Sequence, residues 1–210
     1  MTLDIATPAP AGDGKPPRER LIEAACELFC RFGINAIGVD AVVARAGTAK
    51  ATLYKIFGSK ENLVEAVLER EGCAWRNWFL AGLESGAGAP AERLRRIFPL
   101  LEQWFSEERF YGCPFINAVA EHDKHNERLR AIAMTHKKAV LSRIEDLARE
   151  AGAREPVRFA HQLGILIDGA IVAAMVTRDP GVAGLAAATA ERLFAELGSV
   201  SAARGRRPRG

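Results

Sequence analysis

The sequence predicts an all-α protein of about nine helices: an amino-terminal three-helix domain with a helix-turn-helix, followed by a larger helical domain. Three observations lead there. Apolar residues recur at three- and four-residue spacing along almost the whole chain, no run alternates as a half-buried strand would, and glycine, proline and short polar clusters cut the periodic runs at helical lengths. Hydrophobic residues make up 49% of 210, enough to give most of the chain a core.

Residues 1–15 combine Pro, Gly and Ala without periodicity and are expected to be a flexible arm. They show no basic head followed by an apolar run, so no signal peptide is expected and the location is taken as cytoplasmic. The first helix carries Leu21, Ile22, Ala25, Leu28, Phe29 and Phe32, with Cys26 and Cys30 read as small buried hydrophobes among them. Val39, Val42, Val43 and Ala46 give the second helix an apolar face, and Gly47 supplies the left-handed residue for a sharp turn. A short helix from Lys50 to Phe57 follows, with Leu53, Ile56 and Phe57 inward and Lys50, Thr52, Tyr54 and Lys55 outward.

Ser59 reads as the cap of a long helix from Glu61 to about Gly82, which the stretch from Gly82 to Pro90 ends. Helices then run from Ala91 to Phe105, from Pro114 to about Glu121, from an Asn126 cap to Ala151, from Glu155 to Thr177, and from Val182 to Leu197. The turn signal Arg178-Asp179-Pro180-Gly181 separates the last two. The apolar stretch from Leu163 to Thr177 is taken as too short to cross a membrane, and it contains Asp168. That lone carboxylate needs a partner; His161 shares its face two turns earlier, and pairing across a dimer is the favoured role.

The formal charge of +3 is concentrated in a basic tail, residues 199–210: its last seven residues hold four arginines, without which the chain stands at −1. Any surface for DNA must therefore be local. From Ala41 to Lys60 there are four basic residues (Arg45, Lys50, Lys55, Lys60) and no acidic one, a pattern suited to a phosphate backbone. Catalysis finds no support: the chain has no G-x-S-x-G, Walker A or H-E-x-x-H sequence. The four cysteines lack C-x-x-C spacing, which argues against a zinc ribbon or a disulfide framework. The run from Glu121 to His125 reads as a charged helix end rather than a metal site, so neither metal nor cofactor is expected.

The run LIEAACELFCRFG, the turn RAG and the TLYKIFGSKENL core, within Arg18 to Arg70, resemble the amino-terminal domain of the TetR family of bacterial transcriptional regulators. The resemblance implies a DNA-binding domain over 16–60, and a ligand-binding and dimerisation domain over 61–198. It implies a dimeric repressor on a palindromic duplex, released by a small apolar or aromatic inducer; alternatives are a regulator without such a ligand and a sensor acting through Cys113. Lys50, Ala51 and Thr52 open the recognition helix and are placed nearest the bases, with Tyr54, Lys55, Lys60, Thr48 and Arg45 around the phosphates. Ile37 and Gly38 stand where the family often has a hydroxyl residue, and Ala49 where it often has a capping serine; Thr48 is the alternative cap.

Trp75, Trp78, Phe79, Trp104, Phe105, Phe115 and Asn117 are the pocket candidates, because aromatics crowd where the family keeps its ligand cavity. YGCPFINAVAE, Tyr111 to Glu121, resembles a Gly-Cys-Pro-Phe-x-Asn signature of one TetR-like subgroup. Small residues crowd the last two helices, and Gly169, Ala170, Ala173, Leu185 and Ala188 are placed at a two-fold helical interface.

Overall fold

The computed structural model describes residues 14–86, 88–122, 126–195 and 197; the expected arm up to residue 13, the basic tail and His125 lie outside them. Among the described residues there are ten helices and no strand: α1 Pro17–Phe32, α2 Val39–Ala46, α3 Lys50–Phe57, α4 Lys60–Glu84, α5 Pro90–Arg95, α6 Ile97–Phe105, α7 Pro114–Glu121, α8 Glu127–Glu150, α9 Pro156–Thr177 and α10 Val182–Phe194.

The tenth helix arises because Ala91 to Phe105 is two helices rather than one. Pro99 has no N–H for the carbonyl of Arg95, one turn earlier, and the chain breaks at Arg96 between α5 and α6. The other expected boundaries fall within a few residues. Ser59 Oγ accepts from Asn62 N–H at 3.1 Å and Asn126 Oδ1 from Leu129 N–H at 3.2 Å, so both predicted caps form at the starts of α4 and α8.

The chain forms two compact units. The first joins Met1–Cys73 with Pro114–Ala133, and the second joins Ala74–Cys113 with Met134–Gly210, so α4 and α8 each contribute to both. In the first unit, Leu21, Ala25, Ala46, Leu53 and Leu63 are fully buried, with Ile37 and Val42 beside them at 1% exposure. Cys26 and Cys30 are only half-buried, a departure from the expected core role. Ile56, expected inward, is also exposed.

The core of the second unit contains Phe79, Leu83, Leu94, Ile97, Leu101, Ile144, Leu147 and Leu163, all essentially inaccessible. Here α10 packs against α9 and α6. Gly164 of α9 lies close to α8: a Cβ built on it would stand 2.7 Å from Leu141 Cδ2. Asp168 finds its partner within the chain, in an ion pair with Lys137 of α8, while His161 is exposed. The helix also begins at Pro156, seven residues before the apolar stretch considered above. At 22 residues α9 is therefore long and apolar enough to cross a membrane by those criteria alone, which core helices of soluble proteins also meet.

Candidate nucleic-acid interface

The α2–α3 corner is built by backbone geometry and one distant side chain. Gly47 adopts φ 58°, ψ 43°, left-handed values that cost a glycine little, and its N–H donates to the Ala44 carbonyl. Arg20 of α1 then donates from Nη1 to the Gly47 carbonyl at 3.2 Å, fixing the turn from outside. Sequence reasoning missed Arg20, whose letters on α1 carry no sign of a carbonyl 27 residues away.

Neither helix of the motif has a side-chain cap, in keeping with Gly38 and Ala49 at the cap positions. Thr48 does not supply one: its Oγ1 is buried without a hydrogen-bond partner. On α3, Leu53 is fully buried and Phe57 is 8% exposed, which turns Lys50, Ala51, Tyr54 and Lys55 to solvent, with Thr52 half-buried. The Tyr54 ring is 46% exposed.

The positive charge of this surface is largely engaged. Arg45 donates from Nε and Nη2 to Glu27 Oε2 at 3.0 and 2.7 Å. Lys50 pairs with Asp40 at 2.9 Å, just outside the acid-free window, and the hydrogen bond to that carboxylate raises the lysine above its ordinary pKa. Lys60 donates to the Ile34 carbonyl at 2.6 Å and lies 5.8 Å from the Phe29 ring centre. Lys55 is exposed. Of the four basic residues between Ala41 and Lys60, two form ion pairs and a third bonds a backbone carbonyl.

The corner between α3 and α4 is tied just as locally. Gly58 N–H donates to the Tyr54 carbonyl at 2.9 Å, and Asn62 Nδ2 reaches back to the Phe57 carbonyl at 2.6 Å. At the start of α4 a backbone hydrogen bond, then the Ser59 hydroxyl, holds the Glu61 carboxyl below its usual range.

The loop between α1 and α2 is held by α7. Asn35 N–H donates to Glu121 Oε2 at 3.0 Å, and Asn35 Nδ2 donates to the Glu121 carbonyl at 2.6 Å. Gly33, at φ 89°, lies so close that a Cβ there would stand 3.0 Å from Glu121 Oε2. Beside this clamp is a cavity of about 20 Å³, room for little more than one water, bordered by Phe29, Ile34, Val67, Pro114, Asn117 and Glu121 among others. Cys113, just before α7, is 7% exposed.

The aromatic candidates divide between the units. In the second, Trp75 stacks on Phe79 with centroids 4.7 Å apart and planes at 14°, and meets Trp78 and Trp104 at 6.2 and 5.3 Å. Trp104 extends the group to Phe105 and to Phe110, the latter edge-on at 5.1 Å. Phe115 and Asn117 belong to the first unit, where Asn117 borders the small cavity. Sequence reasoning did not foresee the polar edge of the cluster. His136 lies 5.7 Å from the Trp75 ring, and its Nδ1 accepts from Arg76 Nη1 at 2.9 Å. Burial, then the charges of Arg76 and Lys137, lower the His136 pKa from 6.5 to about 4, so the ring is neutral at pH 7. The buried Trp75 Nε1 has no hydrogen-bond partner.

Two family models match in tandem: "Bacterial regulatory proteins, tetR family" over residues 21–67 and "Tetracyclin repressor-like, C-terminal domain" over residues 90–190. The transcriptional regulator LmrA of Bacillus subtilis is 30% identical over 141 residues, covering 66% of this chain and 74% of LmrA. The chain belongs to the TetR family. The Escherichia coli repressor NemR is 26% identical over 170 residues, 77% of this chain and 85% of NemR. The Mycolicibacterium smegmatis activator FasR is 31% identical over 112 residues, 53% of this chain; the match spans less than half of that relative's length, 44%. Among solved structures, the TetR-family regulator SCO4454 from Streptomyces coelicolor has a TM-score of 0.79 at 27% identity, covering 86% of this chain and 95% of that one. This chain is thus a TetR-family transcriptional regulator with an amino-terminal DNA-binding helix-turn-helix.

One more surface of this TetR-family chain stands out. On α9, Ile165 is 72% exposed and Val176 73%, with Val172 between them, and on α10 Leu185 is 71% exposed. Positions 165, 169, 172 and 176 share one helix face. Gly169 sits on it, with no atom within 4 Å of a Cβ built there. Ala188 of α10 is exposed, Ala173 is half-buried, and Ala170, 4% exposed, packs in the chain's own core rather than on this face.

Proposed function

We propose that the chain is a cytoplasmic homodimeric repressor that binds a palindromic operator and leaves it when a small apolar or aromatic ligand binds. The exposed face of α9 and α10 carries the reading. Ile165, Val172, Val176 and Leu185 form an apolar surface that a stable soluble chain covers, and a two-fold partner covers it while presenting a second reading helix to the next half-site.

Repression is favoured because the relative named a repressor, NemR, aligns over 85% of its own length, against 44% for the named activator. On α3, Lys50, Ala51 and Thr52 would approach base edges and Tyr54 and Lys55 the phosphates. Lys60 has already given one donor to Ile34, but an ammonium has three, so a phosphate contact remains open to it. A ligand would lie against Trp75, Trp78 and Trp104, where an acceptor atom would satisfy the unpartnered Trp75 Nε1. Its binding would shift the population toward a conformer whose reading helices are wrongly spaced.

Selection of tight binders from random duplexes tests the reading. Two-fold symmetric sequences should be enriched, bound by two chains, with affinity that falls steeply as salt rises. Enrichment of single half-sites bound by one chain would overturn it.

A further inference from the structure

We propose that Cys26 and Cys30 of α1 form a dithiol site for monosubstituted trivalent arsenicals, R–As(OH)2 in water, each sulfur supplying one As–S bond. The residues stand four apart on the sixteen-residue α1, so they share a face with Cβ atoms about 5–6 Å apart. Both are half-buried rather than sealed, and the two thiols are in hydrogen-bonding contact.

A disulfide needs Cβ atoms about 3.5–4.5 Å apart, closer than a regular helix brings this pair. One atom set between the sulfurs suits the wider gap. The charge balance narrows the choice of atom. The Cys30 thiol, then burial, with Glu71 adding to them, pushes Cys26 well above its ordinary range, so Cys26 keeps its proton. A metal cation that leaves two thiolates in this half-dry place must work against that preference.

The arsenical does not. R–As(OH)2 and two thiols give R–As(S–)2 and two waters: two As–O bonds break, two As–S bonds form, each thiol proton leaves with a hydroxyl, and arsenic stays trivalent. The product is uncharged. No group of three His, Cys, Asp or Glu side chains placed to hold a metal ion occurs among the described residues. Inorganic arsenite, with three exchangeable positions, would find two ligands here and be held less tightly than the monosubstituted form. The adduct would staple successive turns of α1, whose buried side includes Leu21, Ala25 and Leu28.

The test uses reduced full-length protein and phenylarsine oxide, followed by intact mass measurement and tryptic digestion. Cleavage after Arg20 and Arg31 leaves both cysteines on one peptide, residues 21–31, which locates the adduct in the unaltered protein. One phenylarsenic per chain is expected on that peptide, with two thiols lost to titration and dithiothreitol reversing the reaction far better than mercaptoethanol. Cys26→Ser and Cys30→Ser should each abolish mercaptoethanol-resistant binding, and the double variant Cys73→Ser/Cys113→Ser should retain it. An adduct on the peptides of Cys73 or Cys113, no adduct at all, or undiminished binding by Cys26→Ser would overturn the proposal.

Discussion

The two ends of the chain solve opposite problems. Around α2 and α3 the turns are closed by named polar contacts: Arg20 on the Gly47 carbonyl, Asn62 on the Phe57 carbonyl, and Glu121 on Asn35. What this unit exposes is a short helix carrying Lys50, Ala51, Tyr54 and Lys55. On α9 and α10 the pattern reverses. Asp168 and Glu191 tie the two helices to Lys137 and Arg95, yet Ile165, Val176 and Leu185 are each more than 70% exposed. On the proposed reading, the surface for phosphate and base edges is tied by polar contacts within its own chain, whereas the one for a second copy is left apolar and open.

Several variants sharpen or break that contrast. Leu53→Ala removes a fully buried side chain beneath the reading helix and should cost roughly 2–5 kcal/mol, seen as a lower denaturation midpoint. A loss below 1 kcal/mol would mean that α3 is not anchored through its apolar side.

His136 gives a pH dependence with a definite sign. Its folded pKa of about 4 lies below the ordinary 6.5, so between those values the unfolded chain takes up a proton that the folded chain refuses. Stability is unaffected above about pH 6.5, falls as the pH drops toward 4, and levels off below. With discount for partial solvation, the loss is on the order of 2 kcal/mol. Urea titrations from pH 7.5 to 4 should show this slope, and His136→Gln should flatten it; an equal slope in the variant would assign the effect to other groups.

Asn35→Ala opens the clamp to Glu121 and should cost about 1 kcal/mol of local stability, with faster amide exchange in residues 33–36 than in α9. Unchanged exchange there would show the clamp to be incidental. Asp40→Asn has the smallest effect. It should alter stability by no more than about 0.5 kcal/mol, because the pair is exposed, yet it frees Lys50 and should strengthen DNA binding with a steeper salt dependence. Weaker DNA binding would place Lys50 outside the contact surface.

The helices were legible because their signals are local. Gly47, Ser59, Asn126 and the Asp179-Pro180-Gly181 turn act within a few residues, and the apolar spacing of α1 to α3 marks the helices even though it misplaced Ile56, Cys26 and Cys30. The Pro99 break was legible too, had the missing N–H been counted against Arg95. The site was less so, since its electrostatics are tertiary. Nothing in the letters shows that Arg45 meets Glu27, that Lys60 turns to Ile34, or that Asn35 meets a carboxylate 86 residues away. Composition likewise could not tell Ala170, inside, from Gly169, outside, since small residues fill both faces of α9.

The central claim is that the α9–α10 face joins two chains and that operator binding depends on it. Sedimentation of Leu185→Glu, with operator affinity measured on the same sample, tests it most directly. Each burial of Leu185 is worth about 1.5–3 kcal/mol, and the buried carboxylate adds an unpaired charge. The account predicts a folded monomer at micromolar concentration that binds a half-site weakly and discriminates poorly against random DNA. A variant that stays dimeric with undiminished operator affinity would contradict it.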